Sequence, residues 1–426
     1  MKGIDYFKSL AFSILLLSLS LVTKAQLQIN SPYSRFGLGD VDKNENGISR
    51  SMGGIAYGLQ SPFFINSKNP ASYAAIDSGS FVLDAGYSGW LLQTKTDISE
   101  RKTNYFNLDY LKVAFPVVNW WRVSFSLSPY TTVGYNVVSN SYVDSVGDVK
   151  YSYSGDGGVN QLIFGNAFRI GKKLAVGFNM SYLFGNINYK KISSIPDNIN
   201  MYTFRLTNTV NMSQLYYDFG VQFTDSLGKE NEYYYTLGGV FSNKQTLVGT
   251  STTLAETYIS SESGFEYIKD TVVNSDNGRG NVIIPMFYGL GFQFHKGMDW
   301  SFGMDFNYQK WEEFSAFGRQ DSFKNSFSFN LGGMYRVKRI MLRGGLRYYN
   351  SYLTLKNHNI NELGITFGCS IPLRIDKQYK TFPYLDLGTE IGRRGTTADG
   401  LIQQNYVKFF LGLTIRNGWF EKRRYN

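Results

Sequence analysis

Strict alternation of apolar and polar residues is the feature that most restricts how this chain can fold. Residues 300–309 read WSFGMDFNYQ, with large apolar or aromatic side chains at the even positions and small or polar ones at the odd positions. A period of two indicates a β-strand whose two faces meet unlike surroundings. About fourteen runs of roughly ten or more residues repeat this pattern after residue 78. With 44 Gly, 32 Tyr and 33 Phe against only 9 Pro, the chain is predicted to be all-β.

Charged residues within these runs favour a membrane barrel over a soluble sandwich. In a β-sandwich the apolar face would point into a core, whereas in a membrane barrel it points into lipid and the polar face lines the lumen. A closed core would have to pair or neutralise each mid-strand charge at considerable cost, whereas a water-filled lumen would not. Five such charges are therefore predicted to line the lumen: Asp305, Arg343, Arg347, Asp386 and Glu390.

The connections between the runs indicate a barrel of the outer-membrane type. Connections after even-numbered runs are mostly short, whereas those after odd-numbered runs are often longer, and the longest is predicted as a loop from about residue 246 to 280. Short periplasmic turns and long extracellular loops are typical of outer-membrane barrels. The run from Trp300 to Lys310 is about 33 Å long, and a strand tilt of roughly 40° projects it to about 25 Å, the height of the apolar band. Residues 79–416 are thus predicted to form a transmembrane antiparallel β-barrel of about 14 strands.

Residues 1–25 have the pattern of a secretory signal peptide. Lys2 and Lys8 precede the apolar stretch AFSILLLSLSLV, and small residues at Thr23 and Ala25 predict cleavage after Ala25. The apolar stretch is too short for a membrane-spanning helix. Together with the barrel pattern, these features predict export to the bacterial outer membrane.

The segment from residue 26 to 78 has weak strand signals and many Gly, Ser and Asn residues. A flexible leader is one interpretation of that composition. Phe36, Met52, Tyr57 and Tyr73 instead favour packing against the rest of the protein, and a barrel of about 14 strands has room inside for a plug. We therefore predict that this segment is a hatch that plugs the lumen.

This segment also resembles a known family. The stretch SRSMGGIAYGL, followed by NSKNPASY and the strand FVLDAGY, is similar to the N-terminal hatch of the FadL-like outer-membrane proteins, the long-chain fatty acid transporter family. Asn69, Pro70 and Ala71 match the Asn-Pro-Ala element of that hatch. The stretches SPYSRFGLGD and GWFEKRRYN resemble the Bacteroidota branch of the family, which includes the PorV-type subunit of the type IX secretion system. The resemblance implies a fourteen-stranded barrel whose hatch fills the lumen.

Two functions follow from the resemblance. The first is hatch-gated passage of a hydrophobic, fatty-acid-like compound with a lateral opening in the wall, for which Phe63, Phe64 and Ile65 are either ligand contacts or packing of the plug. Paired glycines at 332–333 and 344–345 would either kink the wall for such an opening or make room for the hatch. The alternative is a non-transporting docking subunit of an outer-membrane machine, either a barrel-assembly complex or type IX secretion.

The end of the chain bears on the second function. Residues 417–426 are predicted to form a basic periplasmic tail. In that tail, Trp419, Lys422, Arg423 and Arg424 would contact either an acidic protein partner or anionic lipid headgroups.

The sequence gives no indication of an enzyme, a cofactor or a metal site. His295 and His358 lie in no metal-ligand spacing and beside no nucleophile motif, and Cys369 is one more residue of an apolar face. The net charge of +10 is spread along the chain, with no basic and aromatic cluster of the kind that binds nucleic acid. The expected partners are outer-membrane lipid, a hydrophobic small molecule, and outer-membrane or periplasmic proteins.

Overall fold

Strands dominate the residues that the computed structural model describes, which are 30–42, 44–144, 146–195, 201–228, 232–261, 265–373 and 382–418. Within these residues, short 3₁₀ helices span Pro32–Arg35, Pro70–Ala75, Trp311–Glu313 and Ala398–Gly400, the helix α1 spans Gly47–Ser51, and none of the helices is long and apolar enough to cross a membrane. The strands are β1 (Asp40–Val41), β2 (Ser80–Lys95), β3 (Glu100–Val118), β4 (Trp121–Val143), β5 (Gly147–Ile170), β6 (Leu174–Ser194), β7 (Thr203–Leu227), β8 (Tyr233–Ser242), β9 (Gln245–Ser260), β10 (Glu266–Ile284), β11 (Phe287–Lys296), β12 (Trp300–Gln309), β13 (Ser315–Ala316), β14 (Ser326–Val337), β15 (Ile340–Asn350), β16 (Thr354–Leu355), β17 (His358–Asn359), β18 (Glu362–Pro372), β19 (Phe382–Gly395) and β20 (Gln403–Gly418).

Fourteen antiparallel wall strands close into a barrel. β8 continues into β9, and β10 into β11, across short breaks, so each of these pairs makes one wall strand. The ring closes where β2 pairs with β20, from Ser80 opposite Gly418 to Lys95 opposite Gln403. The prediction of an all-β transmembrane barrel with 14 strands is confirmed.

The alternation within β12 separates a lipid-facing side from an inner side. Phe302, Met304 and Phe306 are exposed on the outside, whereas Ser301 and Asp305 are buried inside. Pairing around a closed wall satisfies the backbone hydrogen-bonding groups, as a bilayer requires. An outward apolar side chain on such a wall meets hydrocarbon, and this explains why the apolar face is the exposed one.

The two ends of the barrel differ in height. Short connections join β3 to β4, β5 to β6 and β14 to β15 at the end where β2 begins and β20 ends. This is the periplasmic end in a barrel of this type. Towards the other end β5, β6 and β7 extend over 24, 21 and 25 residues, whereas β11 and β12 have 10 each. Since about ten residues cross the apolar band, the long strands β4–β7, β9 and β10 continue outside the membrane, and we call that part the outer sheet.

The outer sheet includes the region that was predicted as a loop from about residue 246 to 280, and that prediction is wrong. β9 pairs with β10 from Gln245 opposite Ile284 to Ser260 opposite Glu266. The sequence there is rich in Thr and lacks one continuous apolar face. Beyond the membrane a strand needs no apolar face, while β-branched Thr and Val still favour extended backbone.

The chain runs inside the barrel before it enters β2. We call residues 30–42 and 44–79 the N-terminal segment. Helix α1 contacts β18 and β19, and the 3₁₀ helix Pro70–Ala75 contacts β5, β6 and β7. The segment has almost no solvent exposure at its large apolar side chains, which include Met52, Ile55, Tyr57, Ile65 and Tyr73. The wall therefore wraps around this segment, which supplies much of the buried core.

Candidate functional site

The candidate site is the interior of the barrel, where the N-terminal segment meets the wall. The segment enters α1 through Asn46, whose side-chain oxygen accepts a hydrogen bond from the Ser49 amide at 2.8 Å, as a helix N-cap does. The Asn46 side-chain amide donates to the Ile65 carbonyl at 3.1 Å. The Gly47 amide donates to the Tyr110 hydroxyl of β3 at 2.9 Å. One residue thus caps the helix and ties two parts of the segment together.

A buried ion pair joins α1 to the wall. Arg50 of α1 forms a close ion pair with Asp109 of β3, and both side chains are almost fully buried. Asp42 lies 4.0 Å from the Arg50 guanidinium. The Asp109 carboxylate also accepts a hydrogen bond from the Ser88 hydroxyl at 2.7 Å. Burying such charges is tolerated only when they are paired and hydrogen-bonded, as they are here.

A second buried network centres on Arg347 of β15. Its guanidinium lies 3.5 Å from the Glu45 carboxylate of the segment and 2.8 Å from Glu362, and it pairs closely with Glu390. Lys68 lies 3.3 Å from the Glu45 carboxylate. One carboxylate of the segment therefore bridges a basic residue of the wall and a basic residue of the segment itself.

The other charges predicted to line the lumen also lie inside the barrel. Asp305 of β12 accepts hydrogen bonds from the backbone amides of Ala56 and Tyr57, at 2.5 Å and 2.9 Å. Arg343 lies 3.3 Å from Asp386, and both side chains are almost fully buried. These charged side chains do lie inside the barrel as predicted, but they contact the segment or one another, and the prediction of a water-filled lumen around them does not describe their surroundings.

Glycines let the segment touch the wall backbone. A Cβ atom at Gly345 would collide with the Met52 and Gly53 backbone, and one at Gly332 would collide with the Met52 backbone. The pairing of β14 with β15 passes through the paired glycines without a register shift. Gly332 and Gly345 therefore make room for the segment, and the paired glycines mark no bulge in the wall.

Gly53 is the matching glycine of the segment. Its φ of +68° lies in the left-handed region, and a Cβ there would collide with wall carbonyl oxygens. Its amide donates to the Thr366 hydroxyl at 2.8 Å. Both the tight turn and the close approach to the wall require glycine at this position.

The Asn-Pro-Ala element fixes the second half of the segment. The side-chain oxygen of Asn69 accepts from the Ala71 amide at 3.1 Å and caps the 3₁₀ helix that begins at Pro70. Its side-chain amide donates to the Tyr57 carbonyl at 2.7 Å and to the Val221 carbonyl of β7 at 3.2 Å. Asn69 therefore connects both halves of the segment to the wall.

Phe63, Phe64 and Ile65 have three different environments. Ile65 is fully buried with Ala71 and Tyr73. Phe64 packs with residues of the α1 region, and the partly exposed Phe63 ring lies 5.8 Å from the ring of Tyr384. Phe63 and Phe64 line an apolar cavity of about 190 Å³ near the periplasmic end, and Ile65 does not.

The wall has a gap beside the segment. Within the described residues, β3 pairs with β4 only from Leu111 opposite Leu127 to Val118 opposite Trp121, and the outer parts of these strands do not pair with each other. β1 covers the free edge of β4, where Val41 lies opposite Thr131, in antiparallel pairing. Two further bonds extend this contact, from the Asp42 amide to the Tyr130 carbonyl at 2.9 Å and from the Ser31 amide to the Gly134 carbonyl at 2.8 Å. The segment thus takes the place of β3 at this edge.

An apolar layer crosses the outer end of the lumen. It combines Tyr33 and Leu38 of the segment with wall residues from β4 to β10 and with Trp311, Phe314 and Tyr352 of the outer connections. Burial raises the pKa of Tyr33 to about 12, against the opposing influence of the Arg394 guanidinium. Its hydroxyl therefore stays protonated at neutral pH and donates to the Ile402 carbonyl. Between this layer and α1 lies a chamber of about 340 Å³ with many charged residues in its lining.

Several functional contacts were not predicted from the sequence. Glu45, Arg50 and Asp109 take part in buried ion pairs between the segment and the wall, but they lie in a segment or at a bulge where alternation is uninformative. Within the described part of the chain, no group of His, Cys, Asp and Glu side chains is arranged to hold a metal ion. Four residues of the predicted tail, Trp419, Lys422, Arg423 and Arg424, lie outside the described residues, as does the predicted signal peptide.

Comparisons with known proteins agree with this architecture. The model of one protein family, described as BamG, matches residues 6–426. A search of curated proteins gave no match. The toluene transporter TodX of Pseudomonas putida superimposes with a TM-score of 0.58 at 14% identity, covering 89% of this chain and 100% of TodX. For the toluene transporter TbuX of Ralstonia pickettii the TM-score is 0.56 at 13% identity, with 87% and 98% covered. A FadL homologue of Pseudomonas aeruginosa gives 0.54 at 11% identity, with 88% and 98% covered. At such identities the likeness establishes a shared barrel fold.

Proposed function

The chain belongs to the BamG family, and from this membership and the geometry of the interior we propose that it is a non-transporting accessory subunit of an outer-membrane machine. The observation that carries the proposal is the way the N-terminal segment is fixed. Ion pairs, backbone hydrogen bonds and glycine contacts tie it to β3, β4, β12, β15 and β18. The barrel then serves as a rigid scaffold, with the segment as a permanent hatch.

Passage of a compound would require many of these contacts to break together. Removing one partner of a buried ion pair typically costs about 3–5 kcal/mol. Opening the wall beside β4 would also expose the backbone groups that β1 now satisfies. A fixed segment is therefore easier to reconcile with a docking role than with gating.

A disulfide lock between β1 and β4 tests this proposal. Val41 and Thr131 lie directly opposite in an antiparallel pair, where Cα separations of about 4.5–5.5 Å permit a disulfide. We would combine Val41→Cys and Thr131→Cys with Cys369→Ser, because Cys369 is the only cysteine of the chain. The proposal expects the locked protein to support growth and partner co-purification as well as the reduced protein does. Loss of function on oxidation, restored by reductant and missing in the Val41→Cys single variant, would instead show that the segment must move.

The partners that co-purify identify the machine. The resemblance to the PorV-type branch makes type IX secretion one candidate and a barrel-assembly complex the other. Extraction from the native membrane in mild detergent, followed by native mass spectrometry, is expected to give a stoichiometric complex. A lone barrel would contradict the subunit proposal.

The basic tail is one proposed contact with that complex. Truncation after Gly418 spares all of β20, which ends at that residue. We expect this truncation, and the replacement of Lys422, Arg423 and Arg424 by Gln, to weaken co-purification while the barrel still folds. Unchanged co-purification would remove the tail from the interface.

A second candidate function is passage of a hydrophobic compound. The gap between β3 and β4 and the apolar cavity beside Phe63 and Phe64 favour it, and two solved barrels of the same fold are described as toluene transporters. Here β1 would have to leave β4 to open a lateral route. Saturable binding of a fluorescent fatty acid that Phe63→Ala weakens would support this candidate, and binding without saturation by the folded barrel would count against it.

A further inference from the structure

The lipid-facing wall carries a groove where β18, β19, β20, β2 and β3 adjoin. Its volume is about 770 Å³. Leu91 of β2 and Ile391 of β19, both 54% exposed, line it together with Val407 of β20. Val407 is the register partner of both Leu91 and Ile391, so the three side chains form one row across the wall. This apolar row faces hydrocarbon.

A polar row lies two residues farther towards the outer end on β19, β20 and β2, and it extends to β3. Asn405 of β20 is paired with Arg393 of β19 and with Gln93 of β2, and Gln93 is paired with Lys102 of β3. Three strand spacings of about 4.8 Å place the backbones of Arg393 and Lys102 roughly 14 Å apart. The Asn405 side-chain amide donates to the Gln93 side-chain oxygen at 3.3 Å and fills the space between the two cations. On β19, β20 and β2 the wall changes from apolar to polar at this row, as expected at the headgroup boundary of the outer leaflet.

The charges of this row favour an anionic headgroup. Arg393 is exposed, and within the described residues it forms no ion pair. Lys102 has Glu100 at 3.9 Å, a separation at which an exposed ion pair contributes little. The Gln93 side-chain amide donates to that same Glu100 at 2.6 Å. Two cations therefore face one carboxylate, which leaves net positive charge at the outer rim of the groove.

We propose that this groove binds a phosphate-bearing lipid of the outer leaflet. The acyl chains pack against the row of Leu91, Ile391 and Val407, and the phosphates lie at Arg393 and Lys102. A groove on the membrane-facing wall is filled by a lipid, and the two cations select lipids that carry phosphate. Arg393 offers the planar set of donors that matches phosphate oxygens, and Lys102 offers a point charge at the far end of the row. The site lies on the outer surface, so it does not depend on the role of the interior.

Lipid titration of the full chain tests the site. The probes are lipid A with both phosphates and lipid A from which both phosphates have been removed, each added to protein in mild detergent and measured by native mass spectrometry. Each cation near a membrane surface contributes about a fivefold preference for an anionic lipid. We expect Arg393→Gln or Lys102→Gln alone to weaken binding of the phosphorylated lipid about fivefold, and the double variant about 25-fold.

A matched control uses exposed lysines elsewhere on the outer part of the wall. Lys150 of β5 and Lys269 of β10 are both exposed, and their double replacement by Gln removes the same charge. This control is expected to bind as wild type does, and the phosphate-free lipid is expected to bind weakly to every variant. Equal binding of both lipids by wild type, or wild-type binding by the Arg393→Gln/Lys102→Gln variant, would overturn the proposal. So would a photocrosslinker at Leu363 that captures a protein in native membranes instead of lipid.

Discussion

Asp109 owes its inward position to one extra residue in β3. Gly86 of β2 pairs with Tyr110, but the next residue, Tyr87, pairs with Leu108, so Asp109 is left without a register partner. This bulge turns Asp109 and Tyr110 to the inside together, and both then contact α1. A β-bulge changes the face of the sheet to which neighbouring side chains point, and it can bring a side chain into a specific contact. Here a local irregularity creates two of the attachments of the N-terminal segment.

Removing the Asp109 charge is expected to destabilise the protein. In Asp109→Asn, Arg50 would lose its close carboxylate partner, and Asp42 would remain at 4.0 Å. Breaking a buried pair in this way costs about 3 kcal/mol or more. Urea unfolding of the refolded barrel in detergent, followed by tryptophan fluorescence, measures the loss. Lys173→Gln, which breaks an exposed pair with Asp225, is the control, and an equal effect of both variants would contradict the assignment.

Substitutions at two adjacent glycines of β15 distinguish the effect of contact with the segment from the general effect of replacing a glycine in a strand. Gly345 faces the segment backbone, whereas a Cβ at Gly344 would only make an ordinary van der Waals contact with the Thr366 carbonyl oxygen, at 3.8 Å. Gly345→Ala is expected to lower stability by about 1–3 kcal/mol through overpacking. Gly344→Ala should be close to neutral in the same unfolding measurement. Similar destabilisation by both would mean that the segment does not lie against β15 in solution.

At the scale of elements, the outer sheet gives the barrel a long extracellular side. β9 and β10 pair with each other far beyond the level of β12, and Phe265, Tyr267 and Ile268 are exposed near the tip. Except where β13 pairs with it near the wall, β10 pairs only with β9 within the described residues. Such an edge has free backbone groups and is a natural place for contact with another protein.

Cysteine labelling tests the orientation of these elements. With Cys369→Ser as the background, Thr271→Cys on β10 is expected to react with a membrane-impermeant maleimide on intact cells. Lys172→Cys, in the turn between β5 and β6, is expected to react only after the outer membrane is permeabilised, because that turn lies at the periplasmic end. Both positions are exposed, so a difference in labelling reports on which side of the outer membrane each position lies. The reverse pattern of labelling would invert the topology.

Alternation predicts elements only where their two faces meet different surroundings. It was informative for β12, where Phe302 faces lipid and Asp305 faces the segment. It fails for β9 and β10 because both faces there lie outside the membrane, and their Thr-rich sequence then predicts a loop. It also gave no account of Glu45 and Arg50, since their contacts depend on which distant strands surround the segment. Pairs such as Arg347 with Glu45 are separated by about three hundred positions, so no local pattern reports them.

For the whole molecule, we propose that the segment decides whether the barrel is a pore. Deletion of residues 30–78 would leave a fourteen-stranded wall with Asp305, Arg347 and Glu390 in a hydrated lumen, where charges cost little. We expect the deletion variant to show discrete open-channel currents in planar bilayers and the full chain to show none. Full-length protein prepared in parallel and far-ultraviolet circular dichroism of both proteins serve as controls. Equal conductance would indicate that the segment does not block the lumen.

The closure of β2 against β20 favours one order of assembly for this molecule. The residues inside the ring precede β2 and are made first, whereas β20 is the final strand of the ring. Most of the wall is closed from strand to strand, so a bulky, hydrogen-bonded interior that folded later would have to enter through an end of the barrel. We expect the interior to be in place while the ring is still a curved open sheet, with its first and last strands apart. Pairing of those two strands then closes the wall around the N-terminal segment.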